Sequence, residues 1–120
     1  MPATARVVTL SEVAVGDPHP KLPAPVTITN ADVARRIAAL VNALPLSTLA
    51  GALCPPPMGN ELMLTFRASA GGPVLATAQG PGACNMVQFT LDGQLEPFLQ
   101  GTGSFTQDVL AAAALRWAVP

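Results

Sequence analysis

Cys54 and Cys84 are the only cysteines of the chain, and they bracket a stretch that reads as one β-hairpin. Three chemistries are open to such a pair. A disulfide would close a loop of about 30 residues and stabilise the fold by roughly 3–4 kcal/mol in the chain-entropy description. It would pin the start of the first strand of a meander to the start of the third. Two buried free thiols would instead suit a reducing compartment. A redox or metal site asks for Cys-x-x-Cys, or for three or four close ligands, and neither spacing is present. The disulfide is the expected state, and no metal or cofactor is expected.

The segment Cys54-Pro55-Pro56-Pro57-Met58-Gly59 offers a second chemistry, that of recognition. Consecutive prolines hold the backbone extended and stiff. A stiff, cysteine-anchored loop with an apolar residue at its tip loses little entropy on binding, which is how many small inhibitors occupy proteases. Met58 would then fill a specificity pocket. The plainer alternative is a rigid connection with Met58 packed inward.

Catalytic groups are sparse. His19, the only histidine, stands between Pro18 and Pro20, away from any identifiable nucleophile. The acids are Glu12, Asp17, Asp32, Glu61, Asp92, Glu96 and Asp108. Asp32 suits a first helical turn and Asp92 a tight turn, while Glu61 and Glu96 fall at strand positions expected to face water. All seven are expected to be solvated, as Asp and Glu usually are, so paired-carboxylate catalysis has no visible basis. Gly101-Thr102-Gly103 ahead of a helix has the form of an anion nest, but a flexible hinge is the simpler reading. Arg35-Arg36 reads as a solvated helix face; two such charges add only about 1 kcal/mol each near an anionic membrane. No enzymatic activity is expected.

The elements that would position these residues follow from periodicity. Arg6–Leu10, within Ala5–Val15, is β-like, and the prolines at 18, 20, 23 and 25 make an extended lead-in. Val26–Thr29 is β-branched and reads as a short strand. Asn30 is a good helix cap, and Val33, Ile37, Leu40, Val41 and Leu44 recur at helical spacing until Pro45. Leu62, Leu64 and Phe66 alternate with polar or exposed neighbours, which predicts a half-buried strand over Glu61–Arg67. Gly71-Gly72-Pro73 turns the chain into a return strand over Val74–Gln79. Met86–Leu91 is a third strand, and Asp92-Gly93 a strong hairpin signal toward a short partner at Gln94–Phe98. A second helix runs from Ser104 to Trp117, with Phe105, Val109, Leu110 and Trp117 among the residues facing the sheet. The order predicts an α+β fold: an antiparallel sheet of about four to five strands with two helices packed on one face, a two-layer sandwich.

Composition bounds the rest. The chain has 120 residues, half of them apolar and only 11% charged, with a net charge of −1. Its length fits a single domain, 1–120, with a lead-in over 1–25 and a stapled core over 26–118. No basic face or aromatic platform is present to hold nucleic acid. No apolar run approaches the roughly 18 residues that span a bilayer. Met1–Leu10 lacks the basic start and long apolar stretch of a signal segment, so an exported form would be a mature fragment or part of a longer chain. The low charge, and a sheet that would leave one apolar face, make self-association an expectation.

Several short motifs occur in order: Val26-Thr27-Ile28-Thr29, a helix ending Leu40-Val41-Asn42-Ala43-Leu44-Pro45, Cys54-Pro55, Leu62-Met63-Leu64-Thr65-Phe66-Arg67, a Gly-Gly-Pro turn, and Gly82-Ala83-Cys84. Together they resemble a domain of small secreted proteins and lipoproteins in high-GC Gram-positive (actinobacterial) bacteria, over about residues 6–117. The chain departs from that pattern in Leu62-Met63, where an aromatic is common, and in its three prolines after Cys54. The resemblance implies export and a disulfide, and implies no known activity. Small secreted subtilisin inhibitors are similar in size and composition but differ in cysteine count and motif order. The expected role is a non-enzymatic structural or recognition domain outside the cytoplasm, with a protein partner at the cell surface. The alternatives are a secreted serine-protease inhibitor working through residues 54–59, and a cytosolic enzyme or enzyme subunit.

Overall fold

The computed structural model describes residues 1–15, 22–49, 53–54 and 59–115. Its strands are β1 (Val7–Val15), β2 (Val26–Ile28), β3 (Gly59–Arg67), β4 (Val74–Gly80), β5 (Met86–Leu91), β6 (Gln94–Leu95) and β7 (Leu99–Gln100). The helices are α1 (Ala31–Asn42) and α2 (Phe105–Ala112). All strand pairs are antiparallel, in the order β2-β1-β3-β4-β5-β6, with β7 also paired to β5. The fold is α+β, with seven strands among the described residues where about four to five are expected from the sequence. The strand with no counterpart in the sequence reading is the two-residue β7.

This extra strand has an identifiable cause. The sequence pattern suggests a single strand over Gln94–Phe98, but the return strand is broken at Glu96-Pro97-Phe98. Leu95 lies opposite Thr90, while Leu99 lies opposite Val87. Four steps on one strand match three on the other, so one extra residue is accommodated around Pro97, which has no N–H for the ladder. The hairpin turn itself is as expected. Asp92 and Gly93 both take positive φ, 50° and 78°, the requirement of a tight two-residue turn between twisted strands.

The alternation on β3 sets which face is buried. Leu62, Leu64 and Phe66 are buried and pair across to β1 and β4, whose Val8, Leu10, Ala76 and Ala78 are buried as well. Val87 and Phe89 continue this face on β5. Ala34, Ile37, Ala38 and Val41 of α1 and Phe105, Val109 and Leu110 of α2 belong to the same buried cluster. The predicted stripe on α1 is present at Ile37, Val41 and Leu44, with Val33 and Leu40 at its margin. Ala34 and Ala38 join it because a methyl group lets the helix approach its neighbours closely. Asn30 caps α1 as expected, its Oδ1 accepting from the N–H groups of Asp32 and Val33 at 3.0 and 3.3 Å.

The opposite face is mostly polar rather than apolar, unlike the face expected from the sequence. Thr27, Thr9, Thr65, Thr77 and Thr90 stand in register, one per strand, across β2, β1, β3, β4 and β5. The row beside it is Ser11, Met63, Gln79 and Gln88. The hydroxyls of Thr9 and Thr27 are hydrogen-bonded at 3.0 Å, and those of Thr77 and Thr90 are also hydrogen-bonded. β-Branched side chains that bond across strands stabilise a solvent-facing sheet by tenths of a kcal/mol to about 1 kcal/mol per pair.

Helix α2 is shorter than expected, ending at Ala112 rather than Trp117, which lies outside the described residues. The stop is local. Ala114 has a φ of 56°, its N–H donates to the Ala111 carbonyl, and the Leu115 N–H donates to the Leu110 carbonyl. This is the paired-bond termination in which glycine usually occupies the left-handed position. An L-residue there costs roughly 1–2 kcal/mol. Ala114→Gly is therefore expected to stabilise the protein by about 1 kcal/mol, read as a raised urea midpoint at unchanged slope.

Among the described residues, no helix is long and apolar enough to cross a membrane.

Candidate functional site

The chain leaves α1 after Asn42 and does not reach β3 until Gly59, and described parts of this connection are anchored by hydrogen bonds. Leu46 bridges to Leu99, the Ser47 N–H donates to the Phe98 carbonyl at 2.8 Å, and the Gln100 N–H donates to the Pro45 carbonyl at 2.8 Å. The Ser47 hydroxyl donates to Gln100 Oε1 at 3.0 Å and accepts from the Leu49 N–H at 3.1 Å. At the far end, Cys54 and Cys84 stand at disulfide distance, with Cα atoms 5.5 Å apart. That separation is usual for bonded cysteines.

Cys84 sits in a one-turn 3-10 helix, Ala83–Asn85, just ahead of β5. Cys84 and Asn85 both occupy the left-handed region, at φ 54° and 60°. Such a conformation is costly for residues other than glycine and persists only when neighbours hold it. The holding group is Gln100. Its Nε2 donates to the Cys84 carbonyl at 3.0 Å and to that of Asn85 at 3.5 Å. Asn85 Nδ2 donates to the Gly101 carbonyl at 2.8 Å, and the Gly101 N–H returns a bond to the Asn85 carbonyl. Gln100 thus joins the anchored connection, the cysteine turn and β7 into one corner.

This arrangement gives Gly101 a packing role that the reading of Gly101-Thr102-Gly103 as a flexible hinge does not include. Gly101 is buried, and a Cβ there would come within 2.6 Å of the Asn85 carbonyl oxygen. Glycine is required at 101 for close backbone approach.

Of the candidate loop, Cys54 and Gly59 are described, while Pro55, Pro56, Pro57 and Met58 lie outside the described residues, as does His19. Gly59 opens β3 opposite Val15. The connection carries three of the exposed large apolar residues, Leu46, Leu49 and Leu53, the last fully exposed.

The described acids are dispersed in role, and Asp17 lies outside the described residues. Asp32 pairs with Arg35 at 3.4 Å on an exposed turn, and Asp108 accepts from the Ser104 hydroxyl at 3.0 Å. Arg36 is exposed, as expected. Glu12 departs from the expectation that every acid is solvated. It lies on the core-facing side of β1, is buried, and accepts a hydrogen bond from Asn60 Nδ2. Its burial follows from register: Glu12 faces Leu62, and Asn60 is the residue opposite Ala14. Among the described residues no three of His, Cys, Asp and Glu gather as a metal-binding set.

Two surface hollows have no clear counterpart in the sequence pattern. One, of about 310 Å³, lies between the N-terminal residues Met1–Ala5 and the Arg35–Asn42 side of α1. The other, of about 350 Å³, lies on the polar face of the sheet beside the cysteine turn, lined by Glu61, Gln79, Gly82, Met86, Gln88 and Phe98. The only sequence signal for the second is that positions 61, 79, 86 and 88 alternate with buried ones on three predicted strands. That alternation places them on one face but not next to one another.

No protein-family model, curated protein or solved structure matches the chain.

Proposed function

We propose that this chain is a non-enzymatic recognition or structural domain that works outside the cytoplasm, as part of an exported protein or lipoprotein, with its two helices covering one face of the sheet. The observation that carries the reading is the Cys54–Cys84 pair at disulfide distance within a hydrogen-bonded corner. Such a bond persists in oxidising compartments and is rare in reducing ones. A stapled corner supports a rigid presenting surface, and the exposed Leu46, Leu49 and Leu53 lie on the chain that it anchors. Apolar groups exposed beside such anchored residues favour a protein partner, since rigid presentation lowers the ordering cost of association. The test is intact mass after alkylation of protein purified under oxidising conditions. Two alkyl groups added only after reduction is the expected result. Two groups added without reductant would remove the main support for an extracytoplasmic role and return a cytosolic one.

A second reading, inhibition of a secreted serine protease through residues 54–59, is favoured by the fixed ends of that segment. Cys54 is held to Cys84, and Gly59 is held in the β1–β3 ladder. The expected outcome is stoichiometric inhibition of at least one member of a broad serine-protease panel. Met58→Asp is expected to weaken that inhibition at least a hundredfold, because a carboxylate would be desolvated in an apolar specificity pocket. Absence of inhibition across the panel rejects this reading and leaves the first intact.

A further inference from the structure

We propose that the hollow beside the cysteine turn is a binding site for one organic cation, a guanidinium or ammonium group on an apolar stem. The proposal does not depend on what residues 54–59 do. Glu61 is the only charged residue among those lining the hollow. The nearest basic residue on the same face of β3 is Arg67, six positions away and about 20 Å along the strand. Gln79 and Gln88 lie directly opposite each other and add amide groups to the same wall. Among the described residues, none of these three side chains has a hydrogen-bond or ion-pair partner. Asp32, Asp108 and Glu12 are each engaged, while Asp92 and Glu96, like Glu61, are not, among the described residues.

The carboxylate is presented in a particular way. A Cβ built on Gly82 would lie 3.4 Å from both Oε1 and Oε2 of Glu61. Both oxygens therefore lie equally close to the Gly82 backbone, which seats the carboxylate against that wall of the hollow. Met86 and Phe98 supply the apolar part of the lining, which suits a methylene stem and the face of a delocalised cation. The volume, about 350 Å³, is at the small end of ligand-binding cavities. An anion would meet an uncompensated carboxylate, and a purely apolar ligand would strip water from three polar side chains without replacing it.

The ligand chemistry has two sources, a free small cation or an arginine or lysine side chain of a protein partner. The experiment is a heteronuclear NMR titration of the whole chain with n-butylguanidinium. N-acetylarginine N-methylamide represents a side chain within a protein, and n-butylurea is the neutral control. Saturable shifts are expected at the Gln79 and Gln88 side-chain amides and the Met86 methyl, with dissociation constants of about 1–10 mM, the range of a single weakly desolvated charge contact. Glu61→Gln is expected to weaken binding at least tenfold. Gly82→Ala, whose methyl would touch both carboxylate oxygens while the charge stays, is expected to weaken it severalfold with an otherwise unchanged spectrum. Tighter binding of the arginine amide than of butylguanidinium identifies a partner's side chain; the reverse order identifies a free small cation. Equal binding of butylurea, no loss on Glu61→Gln, or no saturation by either cation overturns the proposal.

Discussion

Phe66→Ala is expected to destabilise the protein by about 3–5 kcal/mol, the usual cost of emptying a fully buried phenyl position. Phe66 has no exposed surface and sits on β3, the strand paired along its length with β1 and over most of it with β4. Its cross-strand neighbours are Val8 and Ala76. Much of the core is alanine (Ala5, Ala34, Ala38, Ala76 and Ala78), and short side chains fixed to backbone cannot move in to close a ring-sized gap. A domain of this size has about 5–15 kcal/mol in total, so the variant would be at or near the edge of folding at 37 °C. The measurement is a urea melt followed by far-UV circular dichroism. Thr65→Ala, one residue away on the polar face, serves as the comparison and is expected to cost no more than about 1 kcal/mol. A Phe66→Ala loss as small as that of Thr65→Ala would mean that the alternation on β3 is placed one residue out.

Removing the cysteine bridge is expected to have the next largest effect. Cys54 and Cys84 are separated by 30 residues, and the loop so closed is worth about 3–4 kcal/mol through the unfolded state. The double variant Cys54→Ala, Cys84→Ala is expected to lose that amount. The backbone at Cys84 adds a second effect that can be measured separately. Its φ of 54° disfavours any L-residue, including the alanine of the double variant. Cys54→Ala combined with Cys84→Gly is therefore expected to be about 1 kcal/mol more stable than the alanine pair, although neither has a bridge. Equal stability of the two double variants would show that residue 84 leaves the left-handed region once the bridge is gone. A double alanine variant as stable as the parent would show that the bridge constrains little beyond what the Gln100 hydrogen bonds already hold.

Features that depend on neighbours along the chain are legible in the sequence itself. Asn30 caps α1 because its side chain reaches N–H groups two and three residues on. Asp92-Gly93 makes its turn because both residues tolerate positive φ. Leu62, Leu64 and Phe66 share a face because a strand alternates. The end of α2 is not legible in this way, because composition alone favours continuing an alanine-rich helix, whereas the chain stops it with a left-handed Ala114. The split of the return strand is hidden for a similar reason: Pro97 removes one ladder bond without altering the hydrophobic pattern.

Features that depend on which strand lies beside which are not legible at all. Glu12 looks like any solvated acid until β1 is set against β3, which puts it opposite Leu62 with Asn60 within hydrogen-bonding reach. Gly101 looks like a hinge until the Asn85 carbonyl is found against it. Glu61, Gln79 and Gln88 come from three strands and meet only through the pairing of β3, β4 and β5. The sequence by itself determined the helix cap, the hairpin turn, the buried alternation and the one available cysteine pairing, because each is set by covalent geometry, composition or short-range periodicity. Only the tertiary structure decided the five-threonine row, the buried acid, the close-packed glycine and the carboxylate-lined hollow. Each of these is a juxtaposition across strands or turns, and a one-residue shift in strand register would turn the side chains of the row, the acid and the hollow to the other face.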